Sequence, residues 1–271
     1  MSKINKRLKT PLRWAGGKSR FIYKLHDQMG DITDINEIRD PFLGGGSFPL
    51  YLSKLYPNKK VWVNDLYFPV YNFWIQLRDN CKELKSKLLG LLKEHFTIFS
   101  RRLLFFDMKK AMNDENESLV DRAVAFFVVN KCSFSGLTES GSFSGQSSIK
   151  NLNKSIINAL SYYSKLIQHW RITNVDYAEL LNDSNDVFIY LDPPYDIKSN
   201  LYGKKGDMHK NFNHETFKEN VQKTKSKIMI SYNKEIDGLN NNKYPLTYTL
   251  RTDKKYIDTQ KKREEFIIKN Y

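Results

Sequence analysis

Apolar positions along this chain gather into short runs that differ in spacing. VWVND (61–65), rich in Val and Trp, reads as a strand, and NEIRD (36–40) as a short strand before it; both end on an aspartate. Between them, PFLGGGS forms a glycine turn and FPLYLSKLY a helical pattern; YFPVYNFWIQLRDN then turns helical again. Strand, glycine turn, helix, strand is a βαβ unit, which predicts a parallel sheet with a right-handed crossover.

The middle of the chain breaks this alternation. CKELKSKLLGLLKEHF (81–96) has leucines at helical spacing with lysines between them. DRAVAFFVVNKC (121–132) is a second apolar segment, and NLNKSIINALSYYSKLIQHW (151–170) is helical again. The Ser/Gly-rich SFSGLTESGSFSGQSS (133–148) reads as an exposed loop or short hairpin. Residues 80–170 therefore read as an inserted, mostly helical subdomain, with 1–79 and 171–271 forming the other domain. Alternation resumes at RITNVDY (171–177), a candidate strand. VFIYL (187–191) is an apolar run of the kind buried in mid-sheet. HETFKENVQKTK is a helix and KIMISY (227–232) a strand, while YPLTYTLR and EEFIIKNY form a closing antiparallel pair. The fold class is α/β.

Composition narrows the function. At 271 residues and 40% hydrophobic, the chain can bury a real core. No run approaches the ~18 apolar residues of a membrane span. The N-terminus lacks an apolar signal region, so a cytoplasmic, reducing compartment is expected, in a bacterial cell or one infected by a phage or virus. Two cysteines, Cys81 and Cys132, are too few for a disulfide framework or a four-thiolate zinc site, and read as core residues. The five histidines show no metal-binding spacing; His209 and His214 sit in a polar stretch and are expected to be solvated, so no metal is expected. Lys+Arg is 44 against 30 Asp+Glu, a net charge of +14. That favours a polyanionic partner, nucleic acid ahead of membrane, over a merely basic soluble protein.

Two segments carry candidate chemistry. In Asp40-Pro41-Phe42-Leu43-Gly44-Gly45-Gly46-Ser47, a glycine turn at a strand end lets backbone approach a ligand. Asp65, ending the next strand, sits where an acid can hold both hydroxyls of a ribose. Neither GxGxxG nor GxxxxGK[ST] is present, so the pattern suits a nucleoside without a pyrophosphate cradle, although any tight α/β turn has similar residues. Asp192-Pro193-Pro194-Tyr195 directly follows VFIYL. It places a carboxylate at the carboxyl end of a central strand, where open α/β sheets bind ligands. The two prolines remove N–H donors, leaving the Asp192 carboxylate and the Pro193 carbonyl as acceptors for an exocyclic amino group. Tyr195 offers a flat face to a base.

Together these resemble motif I and motif IV (DPPY) of amino-group DNA methyltransferases. Their order, with about 100 residues inserted between them, resembles the alpha group of Dam-like adenine-N6 enzymes. PLRWAGGKSRF (11–21), VNDLY (63–67), NVDYAELL (174–181) and EEFIIKNY resemble further motifs of that family. The resemblance implies a Rossmann-like methyltransferase sheet with an inserted target-recognition subdomain, S-adenosyl-L-methionine (AdoMet) as cofactor and double-stranded DNA as substrate. It implies methyl transfer to N6 of a flipped-out adenine, in a monomer or weak dimer, as in restriction–modification systems. Trp14 and Lys18 would help hold AdoMet; Asp40, Pro41, Phe42, Gly44, Gly45, Gly46 and Ser47 would line its methionine part; Asp65 would hold the ribose. Asp176 and Tyr177 would flank the cofactor's adenine, with Tyr202 nearby. Asp192 and Pro193 would accept from N6, beside Pro194, and Tyr195 would stack on the target.

In the insert, Lys131, Ser133, Ser135, Thr138, Glu139 and Ser142 are candidates for phosphates or base edges, Glu139 reading equally as a solvated loop acid. LYGKKGDMHKNFNHE (201–215) reads as a closing loop that brings Lys204, Lys205 and Lys210 to phosphate. The chain departs from GATC-reading relatives: SGLTESGSFSGQS stands where they carry an arginine and a PFG-like turn, so GATC does not transfer. The alternatives are the same chemistry on cytosine N4 or RNA adenine, or an inactive DNA-binding module.

Overall fold

The computed structural model describes residues 9–196, 206–250 and 259–271. Its core is a seven-stranded sheet in the order β3-β2-β1-β4-β5-β7-β6. The strands are β1 (Glu37–Asp40), β2 (Lys60–Asn64), β3 (Trp170–Thr173), β4 (Val187–Leu191), β5 (Lys227–Tyr232), β6 (Asn240–Leu250) and β7 (Thr259–Lys269). The first five are parallel; β7 pairs antiparallel with β5 and with β6. Every strand read from the sequence is present, including the closing pair.

Strand order places the site. From β1 the chain steps outward through β2 to β3, and from β4 it steps the other way to β5. The topological switch therefore lies between β1 and β4, and crevices form there at the carboxyl ends. Those ends carry the glycine turn and Asp192.

The helices are α1 (Ile22–Met29), α2 (Ser47–Leu55), α3 (Phe68–Asp79), α4 (Cys81–Glu94), α5 (Ile98–Ala111), α6 (Leu119–Cys132), α7 (Gly145–Asn151), α8 (Lys154–Leu166), α9 (Asp207–Lys210) and α10 (His214–Lys223). α3 begins with Pro69 in its first turn, where a missing N–H does no harm. α6 is buried almost all round, as its unbroken apolar run requires. Ser118, Asn153 and Asn213 cap α6, α8 and α10 by accepting backbone N–H groups.

One hydrophobic cluster joins Val61 and Val63 of β2, Phe73 and Trp74 of α3, Leu84 and Leu88 of α4, Phe105 of α5, Phe126 and Phe127 of α6 and Leu160 of α8. Phe73 stacks on Phe127 at 5.7 Å and Trp74 packs against Trp170 at 5.6 Å. The helical stretch is thus built onto the sheet through a common core.

Candidate active site

The loop after β1 turns at Gly44 (φ +46°) and Gly46 (φ +65°) before α2. The glycines line the cavity and also answer to neighbours that the turn itself does not show. A Cβ on Gly44 would lie 2.5 Å from the Trp14 indole nitrogen, and one on Gly46 would lie 2.6 Å from the Trp74 ring. The backbone is bare so that two tryptophans can close on it. Trp74 Nε1 also donates to the Gly44 carbonyl at 3.0 Å.

Asp65 follows β2 and faces this turn. Its carboxylate accepts from Gly44 N–H at 2.8 Å and from Tyr67 N–H at 2.9 Å. Burial pushes its pKa up to about 6 despite those bonds. Asp40 accepts from Phe42 N–H at 3.1 Å, and burial raises it well above the usual carboxylate range. After β3, Asp176 accepts from Ala178 N–H at 2.9 Å and so starts a short helical turn that presents Tyr177. Tyr177 stacks on Phe42 with centroids 5.3 Å apart, and Asn220 of α10 donates to its hydroxyl at 3.0 Å. A third ring between them would need about 7 Å, two contacts of about 3.5 Å each. The Phe42–Tyr177 pair is therefore closed, with no room for a third ring between the two.

Asp192 emerges from β4. Lys18 donates to both of its oxygens, at 2.6 and 2.8 Å, and to the Gly16 carbonyl at 3.1 Å. Lys18 is only 4% exposed, so this is a sequestered ion pair. Burial raises the Asp192 pKa, while the charge and hydrogen bonds of Lys18 pull it back down. The Lys18 ammonium lies 5.1 Å from the Tyr195 ring centroid, and Tyr195 meets Tyr232 edge-on at 6.2 Å.

These groups surround a cavity of about 640 Å³. Its wall includes Trp14, Asp40, Pro41, Phe42, Gly44, Gly45, Gly46, Ser47, Asp65, Asp176, Tyr177, Asp192 and Pro194. Lys18 reaches it through Asp192, with Pro193 and Tyr195 on the same loop.

A family model of D12 class N6 adenine-specific DNA methyltransferases matches residues 14–264. The chain belongs to that family. The type II methyltransferase M.MjaIII of Methanocaldococcus jannaschii is 29% identical over 200 residues, 68% of this chain and 68% of that protein. M1.LlaDCHI, a type II methyltransferase of Lactococcus lactis subsp. cremoris, is 26% identical over 225 residues, 79% and 74% of the two chains. Family membership decides for N6 of adenine in DNA over the cytosine, RNA and inactive-module alternatives. It makes DNA the substrate and requires a methyl donor.

In the methyltransferase, several expectations for residues 131–142 are corrected. Lys131, Ser133 and Thr138 are buried, at 3%, 0% and 3% exposure, so none faces solvent on an open loop. Lys131 lies over the Phe127 ring, and burial, aided by the charge of Arg13, lowers its pKa to about 7. The Arg13 guanidinium donates to the carbonyls of Lys131 and Ser133, drawing the segment onto the body. Ser135 and Ser142 remain exposed. Glu139 is engaged, not solvated: Tyr67 Oη donates to it at 2.5 Å and Asn113 Nδ2 at 2.6 Å. Ser135 (φ +53°) and Thr138 (φ +49°) hold left-handed backbone, which disfavours a β-branched residue.

Tyr202, Lys204 and Lys205 lie outside the described residues. From residue 206 the chain forms α9 and leads into α10, and Met208, Phe212, Thr216 and Asn220 make a second cavity wall. Lys210 is exposed there. His209 is buried at 5% exposure, while His214 is half-buried and bonds Tyr232 Oη through Nδ1 at 2.5 Å. Phe212, packed on Phe42 and Tyr177, was the missed residue; its one signal was a lone aromatic in a polar stretch. Cys132 is fully buried and Cys81 packs against the same core. No helix among the described residues is long and apolar enough to cross a membrane, and no metal-ligand cluster occurs among them.

Proposed function

We propose that the cavity holds AdoMet and that Asp192, Pro193 and Tyr195 receive adenine flipped out of double-stranded DNA. What carries this reading is the Asp192 carboxylate, opening at the switch point onto a cavity shared with Asp65. The residues fit the cofactor. About 640 Å³ is ligand-sized, the five aspartates on its wall suit a cationic sulfonium and ammonium, and Asp65 can accept from ribose hydroxyls. The aromatic wall of Phe42, Tyr177 and Phe212 suits a purine face. AdoMet supplies an electrophilic methyl group.

The chain's own residues do the rest. Each Asp192 oxygen keeps a lone pair beyond the one bonded to Lys18. Asp192 and the Pro193 carbonyl can accept both N6–H bonds, drawing the nitrogen toward a tetrahedral shape that frees its lone pair. Lys18 keeps Asp192 ionised inside a buried site and pins its direction. Tyr195, set between Lys18 and Tyr232, offers a face for stacking, which offsets the few kcal/mol of flipping. The roles are positional and electrostatic.

Residues 80–170 serve target recognition in this reading, with Ser135 and Ser142 exposed for contact and Glu139 bracing the segment. The +14 charge supplies phosphate attraction. The enzyme acts in the cytoplasm as a monomer or weak dimer. The test is transfer of labelled methyl from AdoMet to unmethylated duplex, read by base-resolved sequencing, with Asp192→Ala alongside. Methyl on N6 within one short motif, lost in the variant, is the expected result. An active Asp192→Ala enzyme would sink the assignment.

A further inference from the structure

A loop leaving a buried strand loses its ladder partner, yet its backbone N–H and C=O still need one. A primary amide offers the same donor and acceptor as a peptide group. An asparagine at a neighbouring strand end can therefore add one more rung. The arrangement occurs twice around this cavity.

Asn64, the last residue of β2, is fully buried between the β1 and β3 loops. Its Nδ2 donates to the Pro41 carbonyl at 3.2 Å and to the Val175 carbonyl at 3.0 Å. Its Oδ1 accepts from Val175 N–H at 2.9 Å and from the Thr173 hydroxyl at 2.9 Å. Both amide hydrogens and both acceptor sites are used, so Asn64 has nothing left for a ligand.

Asn233, directly after β5, does the same for the β4 loop. Its Oδ1 accepts from Asp196 N–H at 3.0 Å, and its Nδ2 donates to the Asp196 carbonyl at 3.0 Å. Asp196 follows Tyr195, and Pro193 and Pro194 have no N–H with which to fix that stretch. Tyr232, the residue before Asn233, meets the Tyr195 ring. The Lys234–Asp196 ion pair at the rim is about half exposed and contributes little to the same job.

We propose that Asn64 and Asn233 are positioning residues with separate tasks. Asn64 sets the two loops that carry Phe42 and Tyr177, hence cofactor binding. Asn233 sets the path from Asp192 to Tyr195, hence the rate of methyl transfer. The inference rests on the site assignment above.

Four variants test it: Asn64→Asp and Asn64→Ser, Asn233→Asp and Asn233→Ala. The aspartates keep the shape but place an acceptor against a carbonyl. Each is measured for AdoMet affinity by calorimetry, for single-turnover methylation with both substrates saturating, and for melting temperature. The Asn233 variants should lose about tenfold or more in rate, with AdoMet affinity within about twofold of wild type. The Asn64 variants should lose about tenfold in AdoMet affinity, with the saturated rate within about threefold. Rate and affinity falling together in both sets, or neither moving, overturns the division of tasks. Failure of both Asn64 variants to fold overturns it as well, making Asn64 a core residue. An active Asp192→Ala enzyme would remove the site assignment, and this proposal with it; inactive Asp192→Ala beside unaffected asparagine variants would remove this proposal alone.

Discussion

Replacing Lys18 by methionine removes a charge and keeps the bulk of the side chain. Lys18 donates to both Asp192 oxygens at 2.6 and 2.8 Å, with the lysine side chain 5% and the aspartate 22% exposed. Breaking such a pair strands a carboxylate in a poorly solvated place, worth on the order of 3 kcal/mol. Burial already raises the Asp192 pKa, and both influences that lower it come from Lys18. Without the ammonium the pKa rises further, by about 1–3 units for a neighbouring charge. A raised carboxyl pKa means the folded state holds its proton more tightly. The stability it contributes is present below the ordinary carboxylate pKa and is lost as pH rises through the folded value. Lys18→Met should therefore show its largest melting deficit at alkaline pH and its smallest near pH 4. Catalysis should respond through the same proton, because a neutral Asp192 accepts poorly from N6. The acid limb of the single-turnover rate should move up by about 1–3 pH units, with partial recovery near pH 9. Melting curves and rate profiles from pH 5 to 9 on both enzymes measure this. A uniform loss of rate with an unmoved acid limb would refute the electrostatic role and leave Lys18 as a spacer.

Three further outcomes are expected. Gly46→Ala places a Cβ 2.6 Å from the Trp74 ring at φ +65° and should destabilise by about 2–4 kcal/mol, lowering the melting temperature by roughly 5–15 °C in a thermal scan. Because burial pushes the Asp65 pKa up to about 6, AdoMet affinity should weaken as pH falls below that value, by up to about tenfold per unit, as calorimetry would show. Asp65→Asn should flatten that dependence while weakening binding throughout. Lys131→Met should stabilise the fold most below pH 7, where the native lysine is charged in a buried place, and the gain should shrink toward pH 10. The same variant should leave the salt dependence of DNA binding unchanged, since a buried ammonium neutralises no phosphate.

The strands β2, β4 and β5 were legible in the sequence because each is a compact apolar run with an abrupt polar end. Asp192 was legible because it directly follows the most apolar of them. The helix α5 was not, because apolar and charged residues are spread around it. Arg101 in its first turn is buried, donating to the carbonyls of His95, Ser148 and Leu152, two of which lie some fifty residues away. Burial of the Ser/Gly segment was hidden for the same reason. Arg13, about 120 residues upstream, holds it down. Small polar residues look like open loop until the partner that covers them is known. The glycine turn was found correctly, but its cause, Trp14 and Trp74, could not be read from the turn itself.

The Phe73–Phe127 stack and the Trp74–Trp170 contact bear on how a target preference carried by residues 80–170, as proposed above, can be inherited. Chimeras between relatives with breakpoints at 80 and 170 would cut the first stack, leaving one ring from each parent. Breakpoints ahead of α3 and beyond β3 would carry both contacts across intact. Exchange of specificity by recombination should thus succeed with a block of about a hundred residues that includes part of the sheet, and fail with the helices alone. In the proposed recognition role, point changes at exposed positions such as Ser135 and Ser142 are a further route for drift.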